Sequence, residues 1–414
     1  MAAVRSARAG GPAAAVVAPP SEASTATGDR VHVEFAHRVH FTVDALDPAN
    51  PVLENVLAAE VDAAVAEPAR CIVVVDAGVV AADAPGAAGR PLLDRVRARI
   101  AAMPTVLHLV ADPIVVPGGE AAKQDRAVVD RVMKAINDFG ICRRSYVLVV
   151  GGGAVLDAVG FAAATAHRGV RLIRFPTTTL AQDDAGIGVK NGINAFGKKN
   201  FIGAFAVPTG VINDRQFLAT QSPRDLVAGV SEAVKVALLK DAAFFDAIET
   251  AAPAIARGDL DALWPVVIRS GELHLDHIVR GGDPFEMQIA RPLDFGHWSA
   301  HRLEHLSDYA VRHGEAVSIG IAIDVDYAAA IGVLDADAAD RMVRVLDTCG
   351  LPTRHPLLAD PEPILQGLQE FREHLGGQLT ITLVRGPGQP LDVHEIDIPV
   401  MRRVIAARGE GARS

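Results

Sequence analysis

Tyr146-Val-Leu-Val-Val150 runs straight into Gly151-Gly152-Gly153 and then into Ala154-Val-Leu-Asp157. A short Val-rich run bounded by glycine reads as a buried strand, and the stretch after it as a helix. A strand, a glycine turn and a helix N-terminus together make an anion site, because the first helical N–H groups have no partner within the helix. The pattern departs from GxGxxG, since Leu156 stands where the third glycine belongs. By itself it therefore also fits a plain tight turn, and Asp157 also fits a partner for the helix dipole.

The same alternation extends to both sides. His32 to Val43 alternates apolar and polar residues as a half-buried strand does, and Pro48, Asn50 and Pro51 break it before an Ala-rich helix. Cys71–Asp76, Thr105–Val110, Ser145–Val150, Gly169–Phe175 and Gly210–Asp214 are short β-branched runs, each trailed by a helical stretch. Strands alternating with helices predict βαβ units and a parallel sheet. Beyond about residue 222 long Ala, Leu and charged stretches dominate, with few β runs before Leu379–Val384. The expected organisation is a disordered Ala/Pro-rich tail over 1–30, an α/β domain over 31–222 and a mainly helical domain over 223–414, divided near Ser222-Pro223.

Half of the 414 residues are apolar and only 5% aromatic, so a disordered polar chain is excluded and the core must be Ala, Val, Leu and Ile. A net charge of −10 argues against a nucleic-acid platform. Cys71, Cys142 and Cys349 lie far apart and form no disulfide framework, which predicts a reducing, cytoplasmic compartment. No apolar run is long enough to span a membrane. The first 28 residues carry Arg5 and Arg8 but no compact apolar region, and read as a tail rather than a targeting peptide.

Two further strand-end turns are polar: Pro117-Gly-Gly-Glu120 with Lys123, and Pro176-Thr177-Thr178-Thr179. With the glycine turn they line the edge where α/β sheets bind ligands. Gln182-Asp183-Asp184, Lys190 and Lys198-Lys199-Asn200 lie in a stretch with glycines at 186, 188, 192, 197 and 203. Ammonium and amide donors on such a loop suit a phosphorylated substrate. A flexible solvated loop is the alternative, weakened by Ile187, Val189, Ile193, Phe196, Phe201 and Ile202 around it.

Further on, Glu232 and Lys235 share a helix face. His297 and His301 are four apart in Asp294-Phe-Gly-His-Trp-Ser-Ala-His301, and His313 opens His313-Gly314-Glu315. One Glu and two His suffice for a catalytic zinc site that leaves a position open for a substrate hydroxyl. There is no HExxH, and among 14 histidines any one also fits a surface or core role.

Taken together, these segments resemble the sugar phosphate cyclase superfamily, whose best-known member is 3-dehydroquinate synthase. The likeness runs from about residue 70 to 385. It is carried by Pro-Gly-Gly-Glu-x-x-Lys at 117–123, Gly-Gly-Gly-x-x-x-Asp at 151–157, Gly-Phe-Ala-Ala-Ala at 160–164, His-Arg-Gly at 167–169 and Pro-Thr-Thr at 176–178. It continues through 182–190, 197–205, 228–235, 296–301 and 313–317. The resemblance implies an N-terminal NAD-binding α/β domain, a helical metal-binding domain and a homodimer. It implies Glu232, His297 and His313 as ligands of zinc, with cobalt as an alternative. NAD would lie against Glu120, Lys123, Gly151, Gly152, Gly153, Asp157, Thr177 and Thr178. Asp184, Lys190, Lys199, Asn200 and Lys235 would hold and convert the substrate, and His301 would lie near its phosphate. Arg168 resembles an arginine that reaches the phosphate from the partner subunit. The implied chemistry is transient oxidation of a substrate hydroxyl by NAD, phosphate elimination, re-reduction, ring opening and aldol closure to a carbocycle.

The chain departs from 3-dehydroquinate synthases in several places. His274 follows Glu272-Leu273 where they carry Lys. Ala290 stands where they carry Arg, with Arg291 one along. Asp294 replaces an Asn, Arg372-Glu373 replaces a Lys pair, and the loop Gly281–Glu286 is longer. These changes fall where the family grips the substrate carboxylate, and a lost charged hydrogen bond costs about 1.5–3 kcal/mol. A carboxylate-free substrate such as sedoheptulose 7-phosphate is expected, as in the 2-epi-5-epi-valiolone synthase group. Against this, that group usually has Pro where His301 stands, and Arg291 can slide into the missing Arg's place. 3-Deoxy-arabino-heptulosonate 7-phosphate is the alternative substrate. Iron-dependent alcohol and glycerol dehydrogenases share the two-domain plan but would use an Asp near Asp184 as a metal ligand.

Overall fold

The computed structural model describes residues 33–59, 67–82, 89–196, 198–281, 284–285, 292–374 and 379–409. The chain divides into Met1–Phe35 and Ala36–Ser414. In the first unit residues 33–35 carry no regular secondary structure, and the expected tail over 1–30 lies outside the described residues.

In the second unit seven strands form one all-parallel sheet: β1 (Val39–Thr42), β2 (Ala69–Asp76), β3 (Leu107–Leu109), β4 (Ile114–Val116), β5 (Tyr146–Gly151), β6 (Arg171–Pro176) and β9 (Gly210–Asp214). The order is β1-β9-β6-β5-β2-β3, with β4 also beside β2. The two-residue period of β2 and β5 sends alternate side chains to opposite cores. Ile72, Val74, Val147 and Val149 pack with helices Ala127–Asp138 and Gly153–Thr165. Val73, Val75, Leu148 and Val150 pack with helices Val52–Ala58 and Leu92–Ala101. Burial on both faces explains why these strands read as unbroken apolar runs.

The register sets the polar turns side by side. Gly151 pairs with Pro176, and the Thr177 N–H donates to the Gly151 carbonyl at 3.0 Å. Asp76 pairs with Val116. A Cβ on Gly118 would lie 2.1 Å from an Asp76 carboxylate oxygen, so this turn tolerates only glycine.

Several expectations need correction. The stretch 182–203 is not an open loop. It is a π-type turn, Ala181–Ala185, followed by an antiparallel hairpin of β7 (Lys190–Ala195) and β8 (Lys198–Phe205). Gly192 opposes Gly203, and a Cβ on Gly192 would meet the Ile202 carbonyl at 2.7 Å, so close backbone packing, not flexibility, demands the glycines. The first strand is confined to Val39–Thr42 among the described residues, and β4 was not anticipated.

Beyond Ser222, which caps helix Pro223–Ala228 by accepting from Asp225 N–H, the chain is mainly helical, apart from the hairpin of β10 (Ile381–Val384) and β11 (Pro390–Val393). Helix Val230–Lys240 lies inside this core, buried along nearly its whole length. Helix Leu260–Arg280 packs on the π-type turn. A Cβ on its Gly271 would lie 2.8 Å from Ile187, and that closeness brings His274 beside Asp184.

Candidate active site

Glu232 is fully buried, and its Oε1 lies 3.5 Å from His297 Nε2 and 3.6 Å from His313 Nε2. The ligand atoms of all three lie within 4.8 Å of one another. His297 Nδ1–H donates to the Phe295 carbonyl at 3.0 Å, and His313 Nδ1–H donates to Glu304 Oε2 at 3.1 Å. Both rings therefore turn their Nε2 toward Glu232. Holding the outer imidazole nitrogen in this way is how metal-binding histidines are oriented. Both Glu232 oxygens are buried, with the Lys235 ammonium on Oε2 and the two imidazoles facing Oε1. Such a carboxylate with two imidazoles fits a divalent cation such as zinc. Lys235, one turn along, is ion-paired with Glu232 and buried. Burial opposes ionisation of Glu232, but Lys235, His297 and His313 outweigh it and hold the carboxyl well below the usual carboxylate range.

His297 starts its helix after Gly296, which is left-handed at φ 77°. Buried Asp324 accepts from Gly296 N–H at 2.9 Å and from Trp298 Nε1–H at 2.8 Å, bracketing His297 from both sides. Burial pushes the Asp324 carboxyl up to about 7, with the two donors acting against that rise. The His301 ring stands 5.4 Å from that of His297 and 5.9 Å from that of His313. Lys199 reaches across from β8 to donate to Glu304 Oε1 at 2.6 Å.

Asp184 lies 3.0 Å from His274 Nδ1. Burial lowers the His274 pKa, with Asp184 acting against it, so the imidazole is not a standing cation. Among the described residues Asp184 is not part of the metal group, as a dehydrogenase-type site would need. Arg174, fully buried, donates to the carbonyls of Gly186, Gly188 and Lys190 and to Asn191 Oδ1, fixing the path between Asp184 and Lys190. Lys235 feels the negative fields of both Asp184 and Asp294, which places these acids around the same point. Lys190 and Asn200 are exposed on the hairpin, and Asn200 N–H donates to Asn194, whose amide donates to Glu120.

On the sheet side, helix Gly153–Thr165 has no side-chain cap and no acid in its first turn, so its leading N–H groups face outward unpaired by side chains. Lys123 and Asp157 are ion-paired at 2.5 Å nearby. The Thr177 hydroxyl is buried without a partner, whereas Thr178 accepts from Ala181 N–H. A Cβ on Gly151, Gly152 or Gly153 would lie 3.0 Å from Val155, 3.2 Å from Thr178 or 3.2 Å from Ala185, so the whole cradle is tight. These groups suit a dinucleotide pyrophosphate. Arg168 lies past the far end of this helix, about 20 Å along its axis at 1.5 Å per residue. Arg291 lies outside the described residues.

Sequence reasoning overlooked Glu304, Asp324 and Arg174, and named Asp183 without a role. Glu304 sits seven residues after His297 on one helix face, a spacing that could have been read. Asp183 is fully buried with neither oxygen bonded, and burial, then Asp184 and Glu232, raises its pKa well above normal. Only the fold reveals that environment.

Residues 113–228 match the 3-dehydroquinate synthase N-terminal family, and residues 229–371 match the 3-dehydroquinate synthase C-terminal family. The chain belongs to the 3-dehydroquinate synthase family. It is 36% identical over 324 residues to a 3-dehydroquinate synthase of Ruegeria pomeroyi, covering 73% of this chain and 87% of that one. It is 34% identical over 292 residues to a 2-epi-5-epi-valiolone synthase of Streptomyces glaucescens, covering 70% and 75%. Its fold matches ValA, a 2-epi-5-epi-valiolone synthase from Streptomyces hygroscopicus subsp. jinggangensis solved with NAD+ and Zn2+ bound. There the TM-score is 0.81 at 29% identity, covering 93% of this chain and 99% of that one.

Proposed function

We propose that this chain is an NAD- and zinc-dependent sugar phosphate cyclase. Its substrate would be a seven-carbon ketose phosphate without a carboxylate, sedoheptulose 7-phosphate, and its product a C7 carbocycle. The observation that carries this reading is the buried Glu232–His297–His313 group with Lys235 at its side and the His274–Asp184 pair close by. When bound, NAD supplies reversible hydride transfer and the divalent metal polarises a substrate oxygen. Glu232, His297 and His313 would hold the metal, with cobalt as an alternative. Gly151–Gly153, Glu120, Lys123, Asp157, Thr177 and Thr178 would hold NAD. Lys190, Lys199, Asn200 and His301 would hold the phosphate, while Asp184 and Lys235 would orient the reacting hydroxyls. Asp294 would accept from a hydroxyl and repel a carboxylate.

Support for a division into an NAD-binding domain over 31–222 and a metal domain over 223–414 comes from the Ser222 cap at that junction. Support for a homodimer comes from the exposed aromatic face of the hairpin, with Phe196 85% exposed beside Phe201 and Phe205. Arg168 would then serve the partner's site. A cytoplasmic location is supported by three unpaired cysteines. Among the described residues no helix is long and apolar enough to cross a membrane.

The test is phosphate release by purified protein with NAD and zinc, given sedoheptulose 7-phosphate or 3-deoxy-arabino-heptulosonate 7-phosphate in separate reactions, with product masses. Turnover of the first alone supports the proposal. Turnover of the second alone supports the other reading, 3-dehydroquinate synthase, which the relative in Ruegeria pomeroyi favours. Net NADH accumulation would instead identify a dehydrogenase.

A further inference from the structure

Glu304 divides its two carboxylate oxygens between different halves of the site. Oε1 accepts from the Lys199 ammonium at 2.6 Å, and Oε2 accepts from His313 Nδ1–H at 3.1 Å. The side chain is 3% exposed, so these two contacts are made out of bulk solvent. Lys199 comes from β8 and Glu304 from helix His297–Leu306, so the bond joins elements 105 residues apart. His301, Glu304 and His313 also form a second group with metal-ligand spacing. The Lys199 ammonium already sits on Glu304, with the Tyr309 ring 5.3 Å from it, so the cation of this second group is a lysine.

We infer that Glu304 is a positioning residue that links anion binding at Lys199 to metal retention at His313. The inference rests on the proposed metal site. A carboxylate that accepts from the outer nitrogen of a metal-binding histidine raises the basicity of the inner one. Lys199, sharing that carboxylate, withdraws part of its negative field. A phosphate group that engages Lys199 returns that field to His313 and adds its own charge. The metal is then held more tightly when the phosphate arrives. Because binding linkage is reciprocal, the metal tightens phosphate binding by the same factor. The device would match full metal grip to the presence of the group that is to be eliminated.

The experiment is a zinc titration of the purified full-length chain against a chromophoric chelator, with and without inorganic phosphate, corrected for zinc bound by phosphate itself. Expected for the wild type is a zinc Kd lowered at least 5-fold by saturating phosphate. Glu304→Gln should weaken zinc 10- to 100-fold and shrink the phosphate effect. Lys199→Met leaves Glu304 in place and should lose the phosphate effect while binding zinc at least as tightly as the phosphate-free wild type. A phosphate effect of equal size in Lys199→Met, or zinc affinity unchanged in Glu304→Gln, overturns the linkage. His297→Ala separates the two levels. If it binds zinc as the wild type does, the metal-site reading itself is wrong. If it loses zinc while Glu304→Gln does not, only the linkage fails.

Discussion

Asp324→Asn should remove a pH dependence of stability that the wild type carries near neutrality. Asp324 is fully buried between Gly296 N–H and Trp298 Nε1–H, and its pKa is pushed up to about 7. The unfolded chain has an ordinary Asp near 3.9. Between these values the folded state keeps a proton that the unfolded state releases. Stability from this group is therefore full below about pH 4, falls as pH rises, and stops falling above about 7. Three units at 1.36 kcal/mol each amount to about 4 kcal/mol, of which about 2 kcal/mol falls between pH 5 and 7 and about 3 kcal/mol between pH 5 and 8. Asparagine does not titrate. It also offers an oxygen to only one of the two donors, which leaves the other unpaired at a cost of about 1–3 kcal/mol. Urea unfolding of both proteins at pH 5, 6, 7 and 8, with zinc and NAD fixed, reads the difference directly. The wild type's advantage over the variant should shrink by about 3 kcal/mol across that range. Trp298→Phe, which removes one donor but keeps the acid, should retain the slope. Parallel curves for wild type and Asp324→Asn would refute the reasoning, because they would mean that Asp324 ionises as an exposed acid does.

Three further outcomes are expected. His274→Lys should shift the kcat/KM ratio toward the carboxylated sugar by roughly 10- to 150-fold, the worth of one charged hydrogen bond of about 1.5–3 kcal/mol; an unchanged ratio would show that this position does not meet the carboxylate. Lys123→Met leaves Asp157 without its partner and should weaken NAD by about tenfold in a fluorescence titration, whereas unchanged affinity would remove Lys123 from the cofactor site. Chelation should lower thermal stability, since a metal present at 1,000 times its Kd contributes about 4 kcal/mol. That zinc-dependent shift in melting should vanish in His313→Ala, and its persistence would place the metal elsewhere.

The strands were legible because burial on both faces of a parallel sheet writes itself as unbroken runs such as Val147–Val150. The candidate metal group was legible only as three separate patterns, because Glu232, His297 and His313 come from three helices whose mutual approach is a property of packing. The hairpin was misread for the same reason. Glycines at 192 and 203 look like flexibility in one dimension, yet they face each other where no Cβ fits. Residues that act on other residues left the faintest trace. Arg174 looks like a strand residue in the sequence. Only in the fold does its guanidinium gather the carbonyls of Gly186, Gly188 and Lys190.

The state of the lysines bears on how much negative charge the substrate brings. Lys235 is paired with Glu232, Lys199 with Glu304 and Lys123 with Asp157, each largely buried with its partner. Breaking a buried pair by drawing one partner away costs several kcal/mol, because it strands the other charge out of water. A substrate with one phosphate can share Lys199 without emptying these pairs. A second anionic group beside the proposed metal site would compete with Glu232 for Lys235 or meet Asp184 and Asp294, whose fields already act on that lysine. At His274 burial lowers the pKa, so this position supplies no standing cation for a second anionic group. On the proposed reading, the number of anionic groups that the site accommodates, rather than the length of the sugar, is then what decides between the two candidate substrates.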